Sequence, residues 1–149
     1  MSTDKSALAA WAGNAPKPAD YLILPDTLDK SPFGGFVAAN DSKWRNALRW
    51  IEYGLFQAEE SEITQANLAE KLKSEDPFVQ KFLGSNGGGY GKDFGLSDDF
   101  IAQAIKAVGN YGEAYDRNLG PKTKMYLDRK GTPNALWTQG GAIYSPLWN

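Results

Sequence analysis

The balance between helical and strand patterns is the feature of this 149-residue sequence that most constrains its fold. Five segments repeat apolar residues at helical spacing, whereas only two short runs, Tyr21–Leu24 and Phe33–Ala38, have the character of strands. Met125–Leu127 is a weaker strand-like run near the C-terminus. Two isolated strands do not form a sheet that needs five helices to cover it. The chain is therefore either nearly all α-helical or part of a larger α/β body whose other strands lie elsewhere.

Two of the helical patterns form one unit over residues 97–120. Ser97 is a typical helix N-cap, and the acidic residues after it suit the positive end of a helix dipole. Apolar residues follow at helical spacing until Gly109, which interrupts the helix. A second stripe containing Tyr111 and Tyr115 ends at Gly120-Pro121, the order expected after a helix. The pattern predicts two helices joined at Gly109 and packed through aromatic side chains.

The longest helical pattern covers residues 43–59, with Asn40 or Asp41 as its cap. Its predicted buried stripe consists of Trp44, Ala47, Leu48, Ile51, Leu55 and Ala58. Trp50 and Tyr53 lie off that stripe, which indicates a helix covered on two sides. Farther along, Asp76-Pro77 is a specific helix start, and Gly84 is the expected end of that helix.

The residue types that are missing limit the chemistry. The sequence has no histidine and no cysteine, so it lacks the usual general base, thiolate metal ligands and disulfides. The net charge of −2 and the scattered basic residues exclude a general nucleic-acid surface. Adjacent carboxylates at Glu59-Glu60 and Asp98-Asp99 point in different directions on a helix and do not form an acid/base pair. We expect no enzymatic activity, no cofactor, no metal and no nucleic-acid partner.

Two further sequence features argue against a phosphate-binding loop and against a secretory signal or a membrane span. The glycine-rich run Gly87–Lys92 lacks the spacing of a phosphate-binding loop and follows no strand, so we expect a surface connector. The first residues lack the basic and long apolar parts of a secretory signal, and no apolar run has membrane length. We expect a soluble, unexported product or a mature or truncated piece of a longer protein.

Six segments, in the same order along the chain, resemble the C-terminal half of a periplasmic substrate-binding protein that serves ABC importers of polar or general L-amino acids. They are STDKSALAAW, DYLILPDTLDKSPFG, WRNALRWIEYGLFQAEESEITQANLAEKL, DPFVQKFLG, AVGNYGEAYDRNLG and NALWTQGGAIYSPLW. The resemblance implies a helix-dominated α/β fragment of a type II periplasmic-binding-protein-like, two-lobe fold with few short strands of its own. It therefore favours the second of the two fold interpretations, in which most strands lie outside this chain.

The resemblance also implies an organisation into two segments within one compact unit. Residues 1–38 would finish the second lobe and include a hinge strand, and residues 39–149 would return to the first lobe as helices. At Phe33–Phe36 the chain departs from the Leu-Gly-Pro type of hinge entry that is usual in the family.

The resemblance assigns one ligand-binding residue, Asp4. In the family, an acidic residue in a Thr-Asp motif before a Ser-x-Leu-Ala helix typically pairs with the α-ammonium of the amino acid, and Thr3–Ala9 matches that pattern. A carboxylate is the obvious partner for an ammonium group. The alternative is that Asp4 only caps its helix, a contribution of about 1 kcal/mol.

Two functions follow as hypotheses. The first is the amino-acid-binding component of an ABC importer, present here as a C-terminal portion with impaired ligand binding, periplasmic by resemblance. Its partners would be a polar L-amino acid, the ABC permease and a complementing N-terminal half. The second is an independently folded helical interaction or assembly protein, such as a domain-swapped homodimer, with no small ligand.

Overall fold

The computed structural model of the chain describes residues 1–148; Asn149, the last residue of the predicted segment 39–149, lies outside the described residues. Over this range the helices are α1 (Lys5–Gly13), α2 (Ser42–Glu60), α3 (Leu68–Lys71), α4 (Pro77–Leu83), α5 (Phe100–Val108) and α6 (Tyr111–Leu119). Short 3-10 turns lie at Pro18–Asp20, Gly91–Phe94 and Trp137–Gln139. The predicted helix-dominated fold is confirmed. No helix among residues 1–148 combines the length and the apolar character needed to cross a membrane.

The individual strand predictions are wrong for residues 1–148. Tyr21–Leu24 and Phe33–Ala38 have no regular secondary structure, and Met125–Leu127 is a loop whose Leu127 N–H donates to the Leu119 carbonyl at 2.8 Å. Within the described range, β-pairing is limited to an isolated parallel bridge between Leu136 and Ile143. A strand needs a neighbouring strand to satisfy its backbone groups, and the described residues offer none to these runs.

Helix α2 is the centre of the fold, and it packs against both α5 and α6. The closest approach is at Gly54, where a Cβ atom would overlap the Ile101 side chain. Ile101 is fully buried, so it has no free space into which to move. Gly54 therefore sets the close spacing of α2 and α5. The buried core around them includes Ala58, Ile63, Leu68, Phe82, Leu83, Phe100 and Ile105.

The buried face of α2 differs from the predicted stripe. Ala47 and Ala58 are buried as predicted, whereas Trp44 is 51% exposed and Leu48 37% exposed. Ile51 and Leu55 of the predicted stripe pack against the core, and so do Trp50 and Tyr53, which lie off the stripe. The helix is therefore covered on two sides over its C-terminal part, and the uncovered residues of the stripe lie at its N-terminal end.

An aromatic cluster around Trp148 closes the core. The Trp148 ring lies 5.0 Å from Trp50, 5.2 Å from Phe82 and 5.2 Å from Tyr90, measured between ring centroids. Its indole N–H donates to the Ser145 hydroxyl at 2.8 Å, so burial leaves no polar atom of this side chain unpaired. The C-terminal segment thus packs onto α2 and α4 through one large side chain.

The joint between α5 and α6 is confirmed, but α5 begins later than predicted. The first helical residue is Phe100, preceded by Asp99 at the N-cap position, because residues 97–99 form a turn. This turn is held close to the glycine-rich loop, where a Cβ at Gly91 would overlap the Ser97 carbonyl oxygen. Ser97 is therefore not the N-cap.

At the joint, Gly109 has a φ of 75°, a conformation that favours glycine, and Asn110 begins a capping box. The Asn110 side-chain oxygen accepts from the Glu113 N–H at 2.9 Å, and the Glu113 carboxylate accepts from the Asn110 N–H at 2.8 Å. The Asn110 amide also donates to the Ile63 carbonyl at 2.9 Å in a buried position. One side chain therefore caps α6 and ties the joint to the loop that follows α2.

We expect Asn110→Ala to lower the free energy of unfolding by about 2 kcal/mol, since it removes a helix cap and leaves the Ile63 carbonyl unpaired in the interior. Asn110→Ser is the matched control because it retains a capping oxygen but loses the amide donor. Urea denaturation should place the serine variant between the wild type and the alanine variant. A serine variant as stable as the wild type would contradict the separate role of the Ile63 hydrogen bond, and equal stability of the two variants would contradict the role of the cap.

Helix α2 ends with a residue in an unusual backbone conformation. Glu62 has a φ of 53°, and the Ile63 N–H reaches back to the Ala58 carbonyl at 2.8 Å, as in a Schellman cap. The left-handed conformation costs a non-glycine residue about 1–2 kcal/mol.

We expect Glu62→Gly to raise the free energy of unfolding by about 0.5–1 kcal/mol, after allowing for the greater freedom of glycine in the unfolded chain. Glu62→Ala is the control, because it removes the carboxylate but keeps the unfavourable conformation. Thermal unfolding followed by circular dichroism would measure both. A glycine variant no more stable than the alanine variant would contradict the prediction.

Candidate functional site

The predicted ligand residue, Asp4, lies at the N-cap position of α1. Its backbone carbonyl accepts from the Leu8 N–H at 2.9 Å, but its carboxylate accepts no capping hydrogen bond. The side chain is exposed. The carboxylate is therefore not engaged by its own helix and is available to a cationic group.

A shallow apolar groove lies at the other end of α1. The rings of Trp11 and Tyr21 meet edge to face, with centroids 4.7 Å apart, and both side chains are about half exposed, at 50% and 46%. Ala10, Asn14, Ala15 and Pro16 complete the groove. Gly13 packs against the Lys124 backbone, which connects α1 to the C-terminal part of the chain.

The segment after Tyr21 carries large apolar side chains that nothing in residues 1–148 covers. Phe36 is 100% exposed, and Leu28 and Leu22 are 84% and 83% exposed. Burying one such side chain typically contributes about 1.5–3 kcal/mol, so an exposed series of them is unusual for a complete domain. We call this series, together with Trp44 and Leu48 of α2, the open apolar face.

The carboxylate pairs considered in the sequence have structural partners. Glu59 forms a bidentate ion pair with Arg129, with N–O distances of 2.7 and 3.2 Å, and Glu60 accepts from the Ser145 N–H at 2.8 Å. Asp98 pairs with Lys92 at 3.6 Å, and Asp99 accepts from the Gln103 amide at 2.8 Å, a hydrogen bond that lowers the pKa of Asp99. Neither Glu59 and Glu60 nor Asp98 and Asp99 bring their two carboxylates together in one pocket.

The Arg129 cluster is a feature that sequence reasoning missed. Besides its ion pair, the guanidinium donates to the Asn134 carbonyl at 2.8 Å and lies 5.2 Å from the ring centroids of both Tyr111 and Tyr115. Burial raises the pKa of both tyrosine hydroxyls above the ordinary value. Arg129 and Glu59 are 70 positions apart, and no local pattern marks either residue as half of a pair.

Comparisons with known proteins bear on what could cover the open apolar face. No family model matches the chain. The chain is 43% identical to the glutamate/glutamine/aspartate/asparagine-binding protein BztA of Rhodobacter capsulatus and 40% identical to the general L-amino acid-binding periplasmic protein AapJ of Rhizobium johnstonii. Both alignments cover 97% of this chain but 42% of the relative.

A solved structure agrees with these relatives. An ABC-transporter periplasmic binding protein from Brucella ovis, with glutathione bound, superposes with a TM-score of 0.89 at 39% identity. The match covers 97% of this chain and 44% of that protein. Over 97% of its length, the chain is similar to one part of the amino-acid-binding periplasmic proteins of ABC transporters.

Within this family, the chain corresponds to a C-terminal portion, as the six resembling segments predicted. Its relatives are solute-binding transport proteins rather than enzymes. More than half the length of each has no counterpart here, since the chain spans 42–44% of them. The helix-rich, strand-poor composition of residues 1–148 is therefore that of one part of a larger binding protein.

Proposed function

We propose that this chain is the C-terminal part of the amino-acid-binding component of an ABC importer, which captures a polar L-amino acid in the periplasm and presents it to a permease. The observation that supports this most directly is the superposition of 97% of the chain, at a TM-score of 0.89, on a ligand-bound periplasmic binding protein. The Rhodobacter capsulatus relative is a glutamate/glutamine/aspartate/asparagine-binding protein, which indicates the class of ligand.

The proposal assigns residues 1–38 to the end of the second lobe with the hinge and residues 39–149 to the return through the first lobe. The open apolar face supports this division. Residues 22–36 have no regular secondary structure, and all of them except the partly buried Ile23 are exposed, as a connection between lobes would be without the strands beside it. Trp44 and Leu48 would likewise be covered by the first lobe.

Asp4 is the proposed partner of the ligand α-ammonium. Its exposed carboxylate makes no capping hydrogen bond, which leaves it available for this role. One exposed ion pair contributes only about 0–1 kcal/mol in water, whereas micromolar binding requires about 8 kcal/mol. The isolated chain should therefore bind amino acids weakly or not at all, because a single carboxylate without an enclosing cleft cannot hold them.

The experiment compares this chain alone with a chimaera. In the chimaera, the N-terminal part of the Rhodobacter capsulatus relative, which has no counterpart in this chain, is fused in front of this chain. Titration calorimetry with glutamate, glutamine, aspartate and asparagine should detect binding only by the chimaera. In the chimaera, Asp4→Asn should weaken binding at least tenfold, since about 1.5–3 kcal/mol is typical of a charged hydrogen bond. Asp20→Asn, a change of equal charge beyond α1, is the matched control.

Several outcomes would contradict parts of the proposal. Micromolar binding by the chain alone would refute impaired binding, and undiminished binding by Asp4→Asn would refute the assigned role of Asp4. A folded chimaera that binds none of these amino acids would refute the transport function.

A second candidate follows from the exposed segment around Phe36. Burial of its apolar side chains against a second copy would give a domain-swapped dimer, an assembly protein without a small ligand. Size-exclusion chromatography with light scattering distinguishes the two. A stable dimer that does not bind the upstream part supports assembly, and a monomer that does bind it supports the importer component.

A further inference from the structure

Asn86-Gly87 is the single Asn-Gly pair in the sequence, and it lies in the connector between α4 and the 3-10 turn at Gly91–Phe94. Asn86, Gly87 and Gly88 are all exposed. No heavy atom lies within 4 Å of the position where a Cβ of Gly87 would stand. The backbone nitrogen of Gly87 is therefore approachable from solvent and is not crowded by a side chain of its own.

The hydrogen bonds around Asn86 distinguish it from other asparagines. Its side-chain oxygen accepts from the Gly88 N–H at 3.3 Å, and its amide donates to the Gln80 side chain at 3.3 Å, both long bonds. The Gly87 N–H makes no hydrogen bond within residues 1–148. That nitrogen can lose its proton to hydroxide without breaking any bond of the fold.

After other exposed asparagines, the backbone N–H of the following residue already donates a hydrogen bond. The Ala15 N–H, after Asn14, donates to the Ala12 carbonyl at 3.1 Å, and the Ala135 N–H, after Asn134, donates to the Thr132 carbonyl at 3.1 Å. Asn110 is buried and bonded through both side-chain atoms. In these places the same reaction would first have to break a hydrogen bond or open the core.

We propose that Asn86 is a site of spontaneous deamidation in the folded protein, with hydroxide and water as the only co-reactants. The deprotonated Gly87 nitrogen attacks the Asn86 Cγ, forming an N–C bond. The Cγ–Nδ2 bond breaks, the leaving nitrogen takes up a proton from solvent, and ammonia departs to leave a five-membered succinimide. Water then adds to either ring carbonyl and cleaves a ring C–N bond, so the product is aspartate or isoaspartate.

The product changes a loop that contacts the core. The new carboxylate has no amide to donate to Gln80, and isoaspartate adds one backbone atom to the connector. The connector leads to Tyr90 and Phe94, whose rings lie 5.2 Å from Trp148 and 4.8 Å from Trp50. Modification at Asn86 therefore changes the charge and the length of the segment that positions the Tyr90 and Phe94 rings against the core.

To test this, the purified chain is incubated for days in mildly alkaline buffer at body temperature. Samples taken during the incubation are digested, and their peptides are mapped by mass spectrometry. Labelling with an isoaspartyl methyltransferase identifies the rearranged product. We expect the mass change of amide to acid to accumulate in the Asn86 peptide before any other asparagine peptide. The Asn14 and Asn134 peptides serve as internal controls in the same sample.

Two variants locate the reaction. Asn86→Gln should abolish the product, and Gly87→Ala should reduce it to the level of the internal controls, because the methyl group hinders the attack. Circular dichroism would verify that both variants fold. The proposal is overturned if Asn86 in the folded chain retains its amide while the same peptide, excised, deamidates, or if Gly87→Ala reacts as fast as the wild type.

Discussion

Trp148→Ala is expected to lower the free energy of unfolding by about 3–5 kcal/mol, the range typical of large buried aromatic residues. Trp148 is 6% exposed and makes ring contacts with α2, α4 and the glycine-rich connector together. Its loss leaves a cavity among three rings and removes the hydrogen bond to Ser145. Urea denaturation followed by far-ultraviolet circular dichroism measures the change, since fluorescence would be altered by the substitution itself.

Trp137→Ala is the matched control for Trp148→Ala. Trp137 is 59% exposed and belongs to the same C-terminal segment, so we expect its substitution to change stability by at most about 0.5 kcal/mol. Similar losses for the two tryptophans would contradict the anchoring role of Trp148. A variant that does not fold at all would be examined through Trp148→Phe, which keeps an aromatic ring and should show an intermediate loss.

Arg129→Met is the second substitution for which we expect a large effect, a destabilisation of about 3 kcal/mol. The side chains of Arg129 and Glu59 are each 15% exposed, so removal of the cation leaves a mostly buried carboxylate without its partner. The variant also loses the hydrogen bond to the Asn134 carbonyl and the contacts with Tyr111 and Tyr115. Thermal and urea unfolding would both report the loss.

The double variant Arg129→Met with Glu59→Met separates the cost of the unpaired Glu59 carboxylate from the cost of the other contacts that Arg129 loses. If the unpaired carboxylate is the main cost, the double variant should recover most of the stability lost in the single variant. Lys92→Met is the comparison for a looser pair. The Lys92 side chain is 83% exposed and its ammonium lies 3.6 Å from the Asp98 carboxylate, whose side chain is 19% exposed, and we expect a change of about 0–1 kcal/mol because water screens the exposed cation. An effect of Arg129→Met as small as that of Lys92→Met would contradict a structural role of the Arg129 cluster.

Local signals predicted the helices well. Asp76 caps α4 by accepting from the Phe78 N–H at 2.8 Å, and Gly84 ends that helix in the left-handed conformation. Gly109 separates α5 from α6 as predicted. Such signals are readable because a cap or a left-handed glycine acts within four residues of its own position. The six resembling segments also predicted the similarity to periplasmic binding proteins that the relatives show.

Local signals did not predict which runs would become strands. Tyr21–Leu24 and Phe33–Ala38 have strand-like sequences, but strand formation depends on a neighbour that the described residues do not supply. The same reason explains the error on α2, where Trp44 and Leu48 have the periodicity of a buried stripe but remain exposed. Periodicity shows that a face is apolar and does not show which segment covers it.

The amino-acid sequence was sufficient to predict most helices, the joint at Gly109, the absence of histidine and cysteine chemistry and the similarity to periplasmic amino-acid-binding proteins. The pairing of Glu59 with Arg129 and the closing of the core by Trp148 are visible only in the folded structure. Helix signals act over a few residues, whereas these contacts join residues far apart in the chain. They depend on how every intervening segment packs, and that information is not local to any of them.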